Sequence, residues 1–192
     1  LQSNAGLSPY GISSATIAGQ AISAGNISAI SSTQWKVSYT MDGGESDGAA
    51  SYAFTMADEA GNTATVTSAG SNVVIDNTAP TLSAVTIASN NTNDSYAKVG
   101  DVITLSITST EDLTAAPTVF LAGRAATVNA VGGSASDYTA TITGNSTDTQ
   151  GAVAISIAFT DLTGNAGTTV TATTNGSSVI YDRAVPTLAA VT

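Results

Sequence analysis

DVITLSIT, residues 101–108, alternates aliphatic and polar side chains without a break. That is the period of a strand with one face in a core and one in water. AVAISIAF at 152–159 repeats the pattern, with Val153, Ile155, Ile157 and Phe159 on one face. Weaker versions run through 83–88, 117–121, 125–130, 137–143 and 177–182, so these segments are predicted strands. Turn signals separate them: NNTND at 90–94, VGG at 131–133, GN at 144–145 and NG at 175–176. No stretch holds a helical period. About seven short strands in a hundred residues, with turns every 8–12, predict an all-β chain of antiparallel β-sandwiches of immunoglobulin type.

Asn175-Gly176 complicates the last strand. TTVTATT-NG-SSVIYD reads as a hairpin, yet units joined head to tail need their termini at opposite ends. The expectation is a kink or small excursion there rather than a reversal.

Composition supports β-structure. Of the 192 residues, 42% are hydrophobic and only 9% are charged, far below the usual quarter. Ser, Thr, Gly and Asn carry the polarity instead. Four Lys/Arg against fourteen Asp/Glu give a net charge of −10. Lys36, Lys98, Arg124 and Arg183 cannot build a basic patch, so neither nucleic acid nor an anionic membrane surface is an expected partner. No apolar run approaches the ~20 residues that span a bilayer, so membrane insertion is not expected. With no Cys and no His, thiol nucleophiles, disulfides and imidazole bases are excluded.

The chain resembles itself. VVIDNTAPTL at 73–82 matches VIYDRAVPTL at 179–188, and Gly48-Ala49 matches Gly151-Ala152. WKVSYTM from Trp35 matches YTATITG from Tyr138, and AFTMADEAGN at 53–62 matches AFTDLTGN at 158–165. Offsets of 103–106 residues mean one whole domain per repeat. The expected organisation is an incomplete repeat over 1–78 lacking its first strands, a complete repeat over 79–184, and the start of a third over 185–192. The chain begins at Leu1 without Met and reads as an interior piece of something longer.

A strand running into DxxGN, then a strand ending in DxxxPT, resembles the bacterial and archaeal immunoglobulin-like repeats of giant adhesins and surface-layer proteins. VTIASNNTNDSYAKVGDVITLSI is similar to the opening of such a repeat, and FTDLTGNAGTTVTATTNGSSVIYD to its close. The likeness covers the second copy and the shortened first one. It implies an extracellular, cell-surface location, tandem arrays and calcium at the junctions. The linker IDNTAPTL is also similar to a cadherin junction, although the other cadherin acidic motifs are absent.

Calcium takes six to eight hard oxygen ligands. In an immunoglobulin-type sandwich the loops after the second and sixth strands share one end. Asp76, Glu111 and Asp161 are therefore the expected metal ligands, with Asn77, Asp112 and Asn165 as helpers. Asp182 would serve the next junction, where Arg183 replaces Asn77, and Asp58 with Asn62 the previous one. The competing reading is that DLTGN is only a turn and that Asp76 only ends a strand.

No catalytic residue emerges. Glu111-Asp112 and Asp58-Glu59 are neighbours that a strand would point apart, and Ser is too abundant for a Ser–Lys pair to carry information. An enzyme is not expected. Sequons at Asn26, Asn90, Asn93, Asn145 and Asn175 make glycans a possible addition. Trp35 and Tyr138 fall at matching positions, as core residues would.

The expected function is structural: spacing and assembly within an adhesin stalk, a surface-layer lattice or a filament. Its partners are neighbouring repeats of the same protein and further copies in an array. The alternative is a carbohydrate- or ligand-binding module appended to an extracellular enzyme. The missing strands of the first repeat are expected from upstream residues of the same polypeptide. The competing source is a neighbouring chain, with VPTLAAVT as donor.

Overall fold

The computed structural model describes residues 11–31, 33–68 and 72–189. They are all-β, and they fall into two compact units that meet in sequence between Thr78 and Ala79.

The second unit shows most plainly how sequence makes the fold. Its strands are β9 (Leu82–Ser89), β10 (Tyr96–Ala97), β11 (Val102–Ser109), β12 (Thr118–Leu121), β13 (Arg124–Ala125), β14 (Thr127–Ala130), β15 (Asp137–Thr143), β16 (Gly151–Ala152), β17 (Ile155–Ala158) and β18 (Ile180–Tyr181), numbered after the eight strands of the first unit, which run from Ile12 to Ile75. One sheet has the order β14-β15-β11-β9 and another β13-β12-β17, both antiparallel. A third small sheet has the order β10-β18-β16. The alternation predicted for 101–108 sets the register of the first sheet. Ile103, Leu105 and Ile107 of β11 stand opposite Ile142, Ala140 and Tyr138 of β15, and all six are buried. A slip by one residue would turn every aliphatic side chain of β11 to water. Across from them lie Val119, Leu121 and Ile157 of the second sheet, joined to one cluster with Val85, Tyr181 and Phe159. Two antiparallel sheets sharing one core is the layer arrangement of a β-sandwich.

Two predicted strands are broken. The run 152–159 divides: Gly151–Ala152 pairs with β18, while Ile155–Ala158 pairs with β12. The Val153 N–H still donates to Val179 O (2.9 Å), so the chain leaves one sheet before joining the other. The run 125–130 also divides, as β13 stays with β12 and β14 crosses to β15. Each broken run leads from one sheet to another.

The last segment is not a hairpin about Asn175-Gly176. Val170 pairs with Ile157, Thr174 N–H donates to Val85 O (2.9 Å), and Ser177 Oγ accepts from Ile87 N–H (2.9 Å). Ile180–Tyr181 then pairs parallel to Tyr96–Ala97. The chain keeps one direction and makes a small excursion at 174–177, bridged by Thr173 Oγ1 to Ser177 O.

The first unit contains β1 (Ile12–Ile17), β2 (Gln20–Ala21), β3 (Ile27–Ser31), β4 (Gln34–Val37), β5 (Gly48–Ala49), β6 (Tyr52–Ala57), β7 (Thr63–Ser68) and β8 (Val74–Ile75). Its sheets are β2-β1-β6-β7, β3-β4 and β5-β8. Its buried cluster is small: Ile12, Ala15 and Phe54, with Trp35, Val37 and Tyr52 among the half-buried residues packed on it.

Both units contain a two-residue hairpin that sequence reading missed. IAGQA at 17–21 and LAGRA at 121–125 place Ala-Gly at the turn, with φ of 53° and 78° in one and 51° and 75° in the other. Positive φ at both central residues is the turn whose twist suits a hairpin. Gly accepts it freely, and Ala does so only under strain.

Candidate metal site

β17 runs into the DLTGN loop, and the loop closes on its own first residue. Asp161 Oδ1 accepts from Thr163 N–H (2.9 Å), Thr163 Oγ1 (3.0 Å), Gly164 N–H (2.7 Å) and Asn165 N–H (2.8 Å). Asp161 Oδ2 accepts from Asn165 Nδ2 (2.8 Å). Gly164 sits at φ +103°, a conformation that side chains resist. Asp161 is 1% exposed. Burial, the largest influence on its carboxyl, pushes the pKa up. The Asn165 side chain and the loop donors outweigh it and hold the group below the ordinary carboxylate range.

The loop after β11 lies against this one. Leu113 pairs with Asp161 and Thr114 N–H donates to Thr160 O (3.1 Å). These bonds bring a carboxylate oxygen of Glu111 within 4.8 Å of one of Asp161. Glu111 is half-buried. Two anionic oxygens so close repel unless a cation or donors lie between them. Asp161 Oδ1 is saturated by its loop, whereas Oδ2 accepts from one donor among the described residues, Asn165 Nδ2, and retains a lone pair. Glu111 and Asp161 Oδ2 can thus offer hard oxygens to one divalent cation, with carbonyls and water completing the shell.

The expected helpers divide differently. Asp112 is exposed, and its charge acts on Tyr138, whose phenol is pushed up mainly by burial and secondarily by Asp112. Asn165 donates its amide nitrogen to Asp161, so it orients that carboxylate.

Asp76 and Asn77 belong to the first unit. Asp76 Oδ1 accepts from Thr78 N–H (3.0 Å). Asn77 is turned into its own unit: its N–H donates to Asp47 Oδ1 (2.7 Å) and its Nδ2 to Glu45 O (2.9 Å). Asp47 also accepts from Thr78 Oγ1 (2.5 Å), and these bonds, Thr78 first, lower its pKa.

The same frame recurs in the second unit. Asp182 Oδ1 accepts from Ala184 N–H (2.8 Å), and Arg183 N–H donates to Gln150 Oε1 (3.0 Å). The side-chain bond differs: Asn77 Nδ2 donates to Glu45 O, whereas Arg183 Nη1 reaches Ser146 O, two residues before the matching Asp148. Replacing Asn77 by Arg183 therefore keeps the backbone bond of the frame and shifts the side-chain bond. Gly48–Ala49 pairs with Val74–Ile75 as Gly151–Ala152 pairs with Ile180–Tyr181. Asp58 accepts from Asn62 N–H (2.8 Å) and Nδ2 (2.9 Å), as Asp161 does from Asn165. Glu45, Asp47, Asp148 and Gln150 escaped the sequence reading. The signal was their fixed distance from Gly48-Ala49 and Gly151-Ala152.

The five sequon asparagines are all exposed. Asn93, Asn145 and Asn175 each turn Oδ1 onto the N–H two residues ahead. A polar groove of about 610 Å³ in the second unit is lined by Arg124, Thr127, Thr141, Thr143, Asn145 and Ser146 among others, and no aromatic side chain lines it. Among the described residues no helix is long and apolar enough to cross a membrane. The chain matches no protein-family model, no curated protein and no solved structure.

Proposed function

We propose that the chain carries two tandem immunoglobulin-like repeats of a large extracellular surface protein. Their work is spacing and assembly in a stalk, lattice or filament. The observation that carries this reading is the recurrence of one hydrogen-bond frame at offsets of 103–106 residues: Asp58/Asp161, Asp47/Gln150, Asn77/Arg183 and Asp76/Asp182. A ligand-binding site for a single small molecule gives no reason to duplicate a frame made of turns and strand ends. Intact-mass measurement of the native protein tests the reading. A mass several times that of 192 residues, with further copies of the frame in its sequence, is expected. A native protein of this size alone would overturn it.

Calcium is the proposed cofactor, held by Glu111 and Asp161. Asp76 is the third acid the sequence supplies, four residues before Pro80. Affinity of about 10⁻⁴ to 10⁻³ M is expected, as in extracellular modules. Titrating calcium into chelated protein should raise the melting temperature, and Glu111→Gln should abolish the rise. Glu111→Gln keeps the Asp161 loop bonds intact, so lost folding will not mimic lost binding. Identical melts with calcium and with chelator would refute the metal and leave the repeat reading standing.

A further inference from the structure

The two units differ at one sheet edge. In the second unit β15 is bonded on one side to β14 and on the other to β11, which is itself bonded to β9. In the first unit β4 is bonded to β3, and among the described residues nothing bonds its other edge. The strands correspond. β3–β4 places Ala29 opposite Trp35 and Ile27 opposite Val37, while β14–β15 places Ala130 opposite Tyr138 and Val128 opposite Ala140. The second sheets also correspond, since β2-β1-β6 carries the same Ala-Gly hairpin as β13-β12-β17. Among the described residues the first unit thus has the later strands of this arrangement and no counterpart of β9 and β11.

The side chains differ in the same way. Tyr138, Ala140 and Ile142 are buried under Ile107, Leu105 and Ile103. Trp35, Val37 and Tyr39, at the matching positions, are only half-buried. Trp35 Nε1 is enclosed and has no hydrogen-bond partner, whereas the Tyr138 hydroxyl donates to Ala135 O (3.0 Å). An unpaired edge flanked by half-buried apolar side chains is a template for a further strand.

We infer that the free edge of β4 is an acceptor for an antiparallel strand pair with the chemistry of residues 82–109. The second unit specifies this occupant. The strand beside β4 carries aliphatic side chains at alternate positions, as Ile103, Leu105 and Ile107 do, to cover Tyr39, Val37 and Trp35. A second strand of the β9 kind protects the new outer edge. Backbone bonds along β4 supply affinity, and the alternation supplies register. This inference is independent of calcium and of where the protein works.

Trp35 is the only Trp, so all tryptophan emission comes from this edge strand. A peptide of residues 79–112 added to the 192-residue chain should give a saturable blue shift of Trp35. It should also slow amide exchange at residues 34–37 at least tenfold. The same peptide with Leu105→Asp should do neither. Because the peptide can be poorly soluble, a second form places residues 79–116 directly ahead of Ile12 in the full chain, with the same two readouts. No change in either form would overturn the inference. A different occupant would show as concentration-dependent protection of residues 34–37 in the unmodified chain, lost on deleting residues 185–192. Val185 and Leu188 there are 81% and 86% exposed. That result would assign the edge to the tail of a second copy and overturn the strand-pair assignment.

Discussion

Glu45 and Asp148 occupy matching places in the two units, and each is nearly enclosed, at 6% and 5% exposure. Each accepts from the N–H three residues before it, Asp42 in one unit and Asn145 in the other. They are partnered differently beyond that. Glu45 takes the Tyr39 hydroxyl, a bond that lowers its own pKa and pushes the phenol up to about 12. Asp148 takes Arg124, with Nε 2.8 Å from Oδ1 and Nη2 donating to Oδ2 at 2.8 Å. Gln20 stands in the first unit where Arg124 stands in the second, at the same step of the Ala-Gly hairpin. The backbone frame is held constant, and whichever side chain is in reach satisfies the buried acid. What the frame encloses, by contrast, is unequal: a full core in one unit and a small cluster in the other.

The sharpest way to break this comparison is to cut the two cores at matching places. Leu105→Ala removes a fully buried side chain and should cost the second unit about 2–5 kcal/mol. Val37→Ala, in the half-buried edge strand of the first unit, should cost well under half of that. Calorimetry of the two variants checks the ratio, and equal costs would mean that the first core is as complete as the second. Arg124→Gln makes the second unit imitate the first. It leaves Asp148 without its cation and should cost about 1–3 kcal/mol. Gln20→Ala should be nearly silent, and the pair of unfolding curves tests the asymmetry.

Smaller differences should appear in the two turn loops. Asp161→Ala orphans several loop donors around a buried position and should lower the melting temperature more than Asp58→Ala, whose residue is half-buried. The mildest probe is acid. Asp161 and Asp101 in the second unit, and Glu45, Asp47 and Asp58 in the first, all have pKa values lowered by folding. Such groups stabilise the folded state above their unfolded values near pH 4. The stabilisation is lost as pH falls through the lower folded values. With a smaller core to spare, the first unit should unfold at the higher pH of the two. Trp35 emission followed from pH 5 to pH 2, beside amide exchange of β11, measures the order.

Much of this was legible because it is periodic. Ile103, Leu105 and Ile107 announce β11 through alternation alone, and Asp161 with Asn165 announces its loop through residues that favour turns. The single direction of the last segment followed from the need for opposed termini. The divided strands were not legible, because AVAISIAF alternates straight through the point where the chain changes sheets. Only the partners β12 and β18 decide that break. The candidate site was legible in its acids and not in its bonding. No spacing rule says that Asn77 will turn to Asp47 or that Asn165 will turn its amide onto Asp161. The Ala-Gly hairpins were missed because Ala is an unexpected residue at positive φ.

The direction of the final segment has a mechanical consequence. Val85 and Ile87 meet Thr174 and Ser177, and Tyr96–Ala97 meets Ile180–Tyr181, always in the same chain direction. The second unit's opening and closing segments therefore lie side by side and parallel. Tension applied at the two ends of that unit pulls them past one another, so their bonds share the load and rupture together. An antiparallel pair joined by a turn, such as β6 and β7, would instead peel open one bond at a time when pulled from its free ends.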